Sequence, residues 1–181
     1  MEADKKFVVR LATPADLDFA LPIVAEMEAS AKARGTGIAK REPAFIRAKI
    51  LEGKAVIAFT ANGIWAGFSY IQSWEQQRFV SNSGLIVSPA FRGMKVAAAI
   101  KQKIFELSRL LYPAAKLVSI TTGLPVMKLN TRLGFEPVTY DQIPSDPQFW
   151  EGCKSCVNYP ILVAKHHRNC LCTAMLFQPT V

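Results

Sequence analysis

The chain has no apolar run near the roughly 20 residues that a bilayer-spanning helix needs. Its opening stretch, MEADKKFVVRLATPADL, lacks the apolar segment of a signal peptide. These absences point to a cytoplasmic protein with no membrane partner. Histidine is nearly missing. His166 and His167 are the only two, and as neighbours they cannot share a face of any regular element. The sequence therefore supports no Ser/His/Asp or Cys/His nucleophile arrangement. Cysteine is absent from the first 152 residues. Acids are outnumbered 14 to 22 by Lys and Arg, leaving a net charge of +8. That excess favours an anionic partner such as nucleic acid, a membrane surface or a phosphorylated cofactor. Half of the residues are hydrophobic, which argues against disorder. A length of 181 residues fits one domain spanning 1–181.

What is present reads as alternating strands and helices. Val8, Val9 and Leu11 are strand-like. Thr13 is placed to cap a helix with Pro14 in its first position, and Leu17, Ala20, Leu21, Val24 and Met27 follow at helical spacing. A basic glycine-bearing loop, GTGIAKRE, leads to a second helix, PAFIRAKILEGK. Asn62-Gly63 between two apolar runs marks a hairpin. Then come a strand ending at Pro89, a long helix ending at Pro113, the strand KLVSITTG, a helix LPVMKLNTRLGF and a strand EPVTYDQI. A cysteine-bearing tail closes with a strand-like run from Leu171 to Phe177. The order β α α β β β α β α β, insert, β implies an α/β (α+β) protein, with one mixed sheet flanked by helices on both faces.

The segment VSPAFRGMKVAAAI carries the most chemistry. A strand stops at a proline and a short turn enters a helix. The start of a helix offers unpaired N–H groups and the positive end of the helix dipole, which suits phosphate. Gly93, Ala97, Ala98 and Ala99 are small enough for a ligand to approach the backbone, and Arg92 adds a charge-assisted contact. GxxxxGK[ST] and GxGxxG are both absent, so this is neither a Walker A loop nor a dinucleotide fingerprint. The surroundings share the bias: from Arg92 to Arg132 there are eight basic residues, and the only acid is Glu106.

Leu85, Val87 and Pro89, followed by Arg92-Gly93-Met94-Lys95-Val96-Ala97, resemble the L-x-V-x-P and [Q/R]-x-x-G-x-[G/A] pattern of the GNAT N-acetyltransferases. The later NTRLGFEPV, with Gly134 and Phe135, is similar to a second landmark of that family. The resemblance covers about residues 7–140 and leaves 141–181 as a cysteine-bearing extension. It implies the GNAT fold and acetyl-CoA as co-substrate. Backbone groups of Leu85, Ile86 and Val87 would hold the pantetheine arm. Those of Arg92, Gly93, Met94, Lys95, Val96, Ala97 and Ala98 would hold the pyrophosphate. Asn130 matches a position facing the sulfur end of the cofactor, where many members carry a tyrosine acting as general acid. Two departures stand out: Lys95 replaces a glycine, keeping its N–H, and Asn130 is no proton donor at neutral pH. By analogy with the family, a homodimer is expected.

Acyl transfer to an amine needs a neutral, aligned amine, a stabilised oxyanion and usually a carboxylate to take the proton. No Asp or Glu lies on the strand FVSNSGLIV. Glu75, just upstream, is the leading candidate base, with Ser81, Ser83 and Asp141 behind it. Arg34, Lys40 and Arg41, in and around the basic loop, are candidates to bind an acidic acceptor. The loop and cysteine tail also resemble a bacterial GNAT subgroup linked with arginine biosynthesis, for which glutamate is a natural acceptor. The expected activity is N-acetylation of a primary amine on a small molecule. A protein or peptide acetyltransferase and a non-catalytic acyl-CoA-binding module are the alternatives. The charge also fits nucleic acid, but no base-stacking or groove-reading motif accompanies it, so no nucleic-acid partner is expected.

Cys153-x-x-Cys156 and Cys170-x-Cys172 form two close pairs. They are compatible with a tetrahedral structural zinc site, with buried free thiols, or with disulfides. Any metal here would staple the tail.

Overall fold

The coordinates, a computed structural model, describe residues 7–35 and 40–180. Seven strands form one sheet in the order β1-β2-β3-β4-β5-β7-β6. These are β1 (Phe7–Leu11), β2 (Ala55–Thr60), β3 (Trp65–Trp74), β4 (Phe79–Val87), β5 (Lys116–Thr121), β6 (Glu136–Pro137) and β7 (Thr173–Phe177). Neighbours are antiparallel except β4 and β5, which run parallel. The β2–β3 turn forms at the Asn62-Gly63 pair, with Gly63 at φ 79° donating to Thr60 O at 2.9 Å.

Alternation along the strands divides the core in two. Ile57, Phe68, Tyr70 and Ile86 face helices α1 (Ala20–Arg34) and α2 (Pro43–Leu51), meeting Ile23, Met27, Ile46 and Ile50. Val56, Ala58, Ile71 and Val80 face α3 (Val96–Leu111), meeting Val96, Ile100 and Ile104 at i, i+4 and i+8. Each such fully buried side chain contributes about 1.5–3 kcal/mol. Helix α4 (Leu124–Arg132) joins the α3 face through Met127. Short helices α5 (Pro147–Glu151) and α6 (Tyr159–Ala164) cover the far end of the other face with Phe149, Trp150 and Leu162.

Two expectations change. The helix expected from Pro14 is a 3-10 turn over Pro14–Phe19, and α1 begins at Ala20. Asp16 in that turn is 3% exposed, held bidentate by Arg10 at 2.7 and 2.8 Å and by the Thr13 N–H at 2.7 Å. The strand expected over EPVTYDQI shrinks to Glu136–Pro137, because Pro137 has no N–H to donate and a 3-10 turn follows at Tyr140–Gln142. The closing strand expected over Leu171 to Phe177 forms over Thr173–Phe177. The last strand, β7, pairs with β5 on one side and β6 on the other, so the tail completes the sheet.

Candidate active site

The parallel pair β4–β5 comes apart. Phe79, Val80 and Ser81 lie opposite Lys116, Leu117 and Val118, and the pairing stops there. β4 continues to Val87 against β3, while β5 continues to Thr121 against β7. A bulge helps to turn β4. Phe68 pairs with Ile86 but Tyr70 pairs with Ser83, so Gly84 and Leu85 together oppose Ser69. Gly84 has φ +63°, and a Cβ there would sit 2.4 Å from Cε1 of Tyr70. The missing side chain makes room for the Tyr70 ring, which is fully buried. The Tyr70 hydroxyl in turn accepts from Arg41 Nε at 2.6 Å.

A cleft of about 220 Å³ opens at the separation. β4 supplies Ser81, Asn82, Ser83 and Gly84, and β5 supplies Val118, Ser119 and Ile120. Arg41, Trp74, Phe149 and three of the cysteines close the far wall. Ser81 and Ser83 share a hydrogen bond at 2.9 Å, and Trp74 Nε1 donates to Ser81 Oγ at 3.0 Å. Asn82 Nδ2 donates to Ser108 Oγ at 2.6 Å, while its Oδ1 is buried without a partner among the described residues. No Asp, Glu or His lines this cleft among the described residues.

Beyond the open end of β4, a 3-10 turn at Pro89–Phe91 leads into α3. Gly93 at φ +77° and Lys95 at φ +65° both adopt the left-handed conformation, and the helix begins at Val96. Arg92 N and Met94 N donate, at 3.4 Å each, to Pro89 O and Phe91 O. The N–H groups of Gly93, Lys95, Val96, Ala97 and Ala98 have no acceptor among the described residues. Lys95 therefore holds a conformation that glycine adopts freely, at a cost of about 1 kcal/mol.

Several candidate residues fall elsewhere. Glu75 lies in the tight β3–β4 turn, at the paired end of the strands. Its carboxylate accepts from Ser145 N at 2.7 Å and Asp146 N at 3.3 Å and pairs with Arg78 at 3.2 Å. It anchors the segment before α5 and does not line the cleft. Asp141 is exposed on the Tyr140–Gln142 turn, where it accepts from Thr139 Oγ1. Asn130 is fully buried behind β5. Its Nδ2 donates to Ser119 Oγ at 3.0 Å, and its Oδ1 has no partner among the described residues. Ser119, which sequence reasoning missed, stands between Asn130 and the cleft. The Arg92 guanidinium turns back to α1, donating to Glu26 at 2.6 Å and Ser30 at 2.7 Å, so its charge is already paired.

Of the three basic acceptor candidates, only Arg41 lines the cleft. Beyond Tyr70 it donates to Lys40 O at 3.1 Å and lies over the rings of Phe45 and Tyr70. No carboxylate pairs with it among the described residues. Burial raises the Tyr70 hydroxyl pKa, against the opposing pull of Arg41. Arg34 donates to Ser30 O within its own helix. Lys40 lines an adjoining shallow depression and donates its N–H to Ser155 Oγ. Residues 36–39 of the basic loop lie outside the described residues.

All four cysteines are free thiols, and all four line one small apolar cavity beneath Tyr140 and Trp150. Among the described residues, no group of three or more His, Cys, Asp or Glu is placed to hold a metal ion. The structural-zinc expectation for Cys153, Cys156, Cys170 and Cys172 thus finds no support. Burial, together with the neighbouring thiols, pushes Cys153 up to about 11 and Cys172 up to about 12.

No family model and no curated protein sequence matches the chain. Solved structures do. N-acetylglutamate synthase from Neisseria gonorrhoeae, complexed with coenzyme A and N-acetylglutamate, aligns with a TM-score of 0.68 at 15% identity over 100% of this chain. This chain spans only 36% of the length of that one. Rv2747 from Mycobacterium tuberculosis, in complex with CoA, aligns at 0.65 and 17% identity over 94% of this chain and 98% of its own. A GNAT superfamily phosphinothricin acetyltransferase from Sinorhizobium meliloti, in complex with acetyl-CoA, aligns at 0.63 and 17% identity, covering 96% and 88%. The fold is that of the GNAT acetyltransferases. No described helix is long and apolar enough to cross a membrane.

Proposed function

We propose that the chain is an acetyl-CoA-dependent N-acetyltransferase acting on a small primary amine that carries a carboxylate. One observation supports this most: the β4–β5 separation and the unpaired start of α3 occur together at the same end of the central strands. Such a combination suits a ligand with an extended amide-bearing arm and a pyrophosphate. The residues present fit that ligand. The N–H groups of Gly93 and Lys95 to Ala98 suit phosphate oxygens, and Asn82 Oδ1 is a buried acceptor in need of an N–H. The structural neighbours solved with CoA or acetyl-CoA support the same reading.

Bound acetyl-CoA supplies a thioester carbon open to direct attack by an amine. The chain's part is to align and dehydrate. Arg41 anchors the acceptor carboxylate, since its guanidinium is fixed by Tyr70 and lacks an acidic partner. Ser81 and Ser83 are the polar groups of β4 that face the acceptor side. With no carboxylate in the wall, the amine proton would pass to solvent at these hydroxyls as the C–N bond forms, and the C–S bond would break to release a thiolate that solvent protonates. Neither Glu75 nor Asn130 takes part directly.

The test is thiol release from acetyl-CoA in the presence of a panel of amino acids and polyamines. Turnover with a carboxylate-bearing amine is expected. CoA binding without turnover on any amine would leave a non-catalytic acyl-CoA module.

A further inference from the structure

The wall that faces Arg41 limits the acceptor's chemistry. Its charged complement is one guanidinium: Arg34 is bonded within α1, and Lys40 lines a neighbouring depression. The undescribed loop residues are Thr36, Gly37, Ile38 and Ala39, so that loop segment holds no further charge. Ser81, Asn82, Ser83 and Ser119 supply uncharged polar groups on the strand side of the cleft, and the side away from β4 is apolar or soft. Trp74 and Phe149 meet edge to face with centroids 5.2 Å apart. Val118 and Ile120 add aliphatic surface. Cys153, Cys156 and Cys172 complete the side, the first and last held as neutral thiols by burial.

Building on the transferase reading above, we propose that the acceptor is a monocarboxylic amino acid with an apolar or thioether side chain. Its carboxylate lies on Arg41 and its side chain lies against Trp74, Phe149 and the cysteine wall. The reasons are electrostatic. One fixed cation satisfies one carboxylate. A second carboxylate, as in glutamate, would lie against the rings and neutral thiols with no second cation to pair it, and an unpaired charge there is disfavoured. A polyamine is excluded by the same logic with the sign reversed, because no acid lines the described wall to receive a second ammonium. Aromatic rings and thiols suit polarisable side chains, including sulfur against a ring.

The experiment compares kcat/KM of the whole chain, at saturating acetyl-CoA, for phenylalanine, leucine, methionine, glutamate, aspartate and spermidine. The expected result is at least a tenfold preference for the three apolar amino acids, lost when their carboxylate is methylated. Trp74→Ala should reduce the preference. Because that change also removes core packing, Cys156→Lys serves as a second variant. It adds a cation to the wall and should shift the preference toward glutamate. Glutamate, aspartate or spermidine performing as well as the apolar amino acids in the unmodified chain would overturn the proposal and leave the transferase reading intact. Absence of turnover with every amine would overturn both.

Discussion

Ser81 on β4 lies opposite Val118 on β5, and no later residue of β4 has a partner on β5. Beyond that pair each strand keeps its outer neighbour and loses its inner one. The interior of a sheet then has an opening, which ordinary strand pairing would have sealed. Everything proposed for function follows from what lines that opening and what meets it at the start of α3.

Gly84 is the first test of the geometry. An added Cβ meets the Tyr70 ring at 2.4 and 2.9 Å, and the backbone is in the left-handed region. Gly84→Ala should lower stability by about 1–3 kcal/mol in urea denaturation. Because Tyr70 also holds Arg41, the same change should raise KM for the acceptor.

The helix start offers a separation of stability from binding. Ala98→Asp places an acid in the first turn of α3, where the dipole favours it by about 0.3–1 kcal/mol. The same charge repels a phosphate. Calorimetric titration should show at least a tenfold weaker affinity for CoA with an unchanged or raised Tm. Lys95→Gly should behave differently, gaining about 0.5–1 kcal/mol by relieving the left-handed φ of +65°, while CoA still binds.

Much of this was legible in the sequence. The element order, the Asn62-Gly63 hairpin and the helix entry after Pro89 follow from local chemistry, and all three are present. Gly84 inside a strand pattern was an available bulge signal. Sequence position says nothing of which side of a strand end or helix a group occupies. Glu75 sits at the closed end of the hairpin and Asn130 faces inward behind Ser119. The place of β7 inside the sheet depends on long-range pairing. Ser119, Trp74 and Phe149 converge from three separate elements, so no local pattern announced them.

Lys101 is one of the eight basic residues between Arg92 and Arg132, yet it is 2% exposed, with its ammonium 5.3 Å from the Phe135 ring centroid. Burial lowers its pKa from 10.5 to about 8. The folded chain thus holds this proton more weakly than the unfolded one. Stability should rise with pH between about 8 and 10.5, with the full penalty present below pH 8. At about 1.4 kcal/mol per pH unit the penalty at neutral pH is about 3 kcal/mol. Lys101→Met should recover part of it and flatten the rise, as urea midpoints at pH 7 and 10 would show.

The thiols at Cys153 and Cys172 are raised to about 11 and 12, so little thiolate exists at pH 8. Alkylation of Cys153 and Cys172 by iodoacetamide, followed peptide by peptide, should be at least tenfold slower in the native chain than after unfolding in urea. A metal chelator should leave Tm unchanged, in keeping with the absence of a metal-holding group among the described residues.

The central claim is that the start of α3 and the opening beside it receive CoA. Hydrogen–deuterium exchange with and without saturating CoA tests it most directly. The peptide containing Gly93 and Lys95 to Ala98, whose amides lack acceptors among the described residues, should exchange markedly more slowly with CoA. Residues of β1, on the far edge of the sheet, should be unaffected. Unchanged exchange at the start of α3 in the presence of bound CoA would contradict the account.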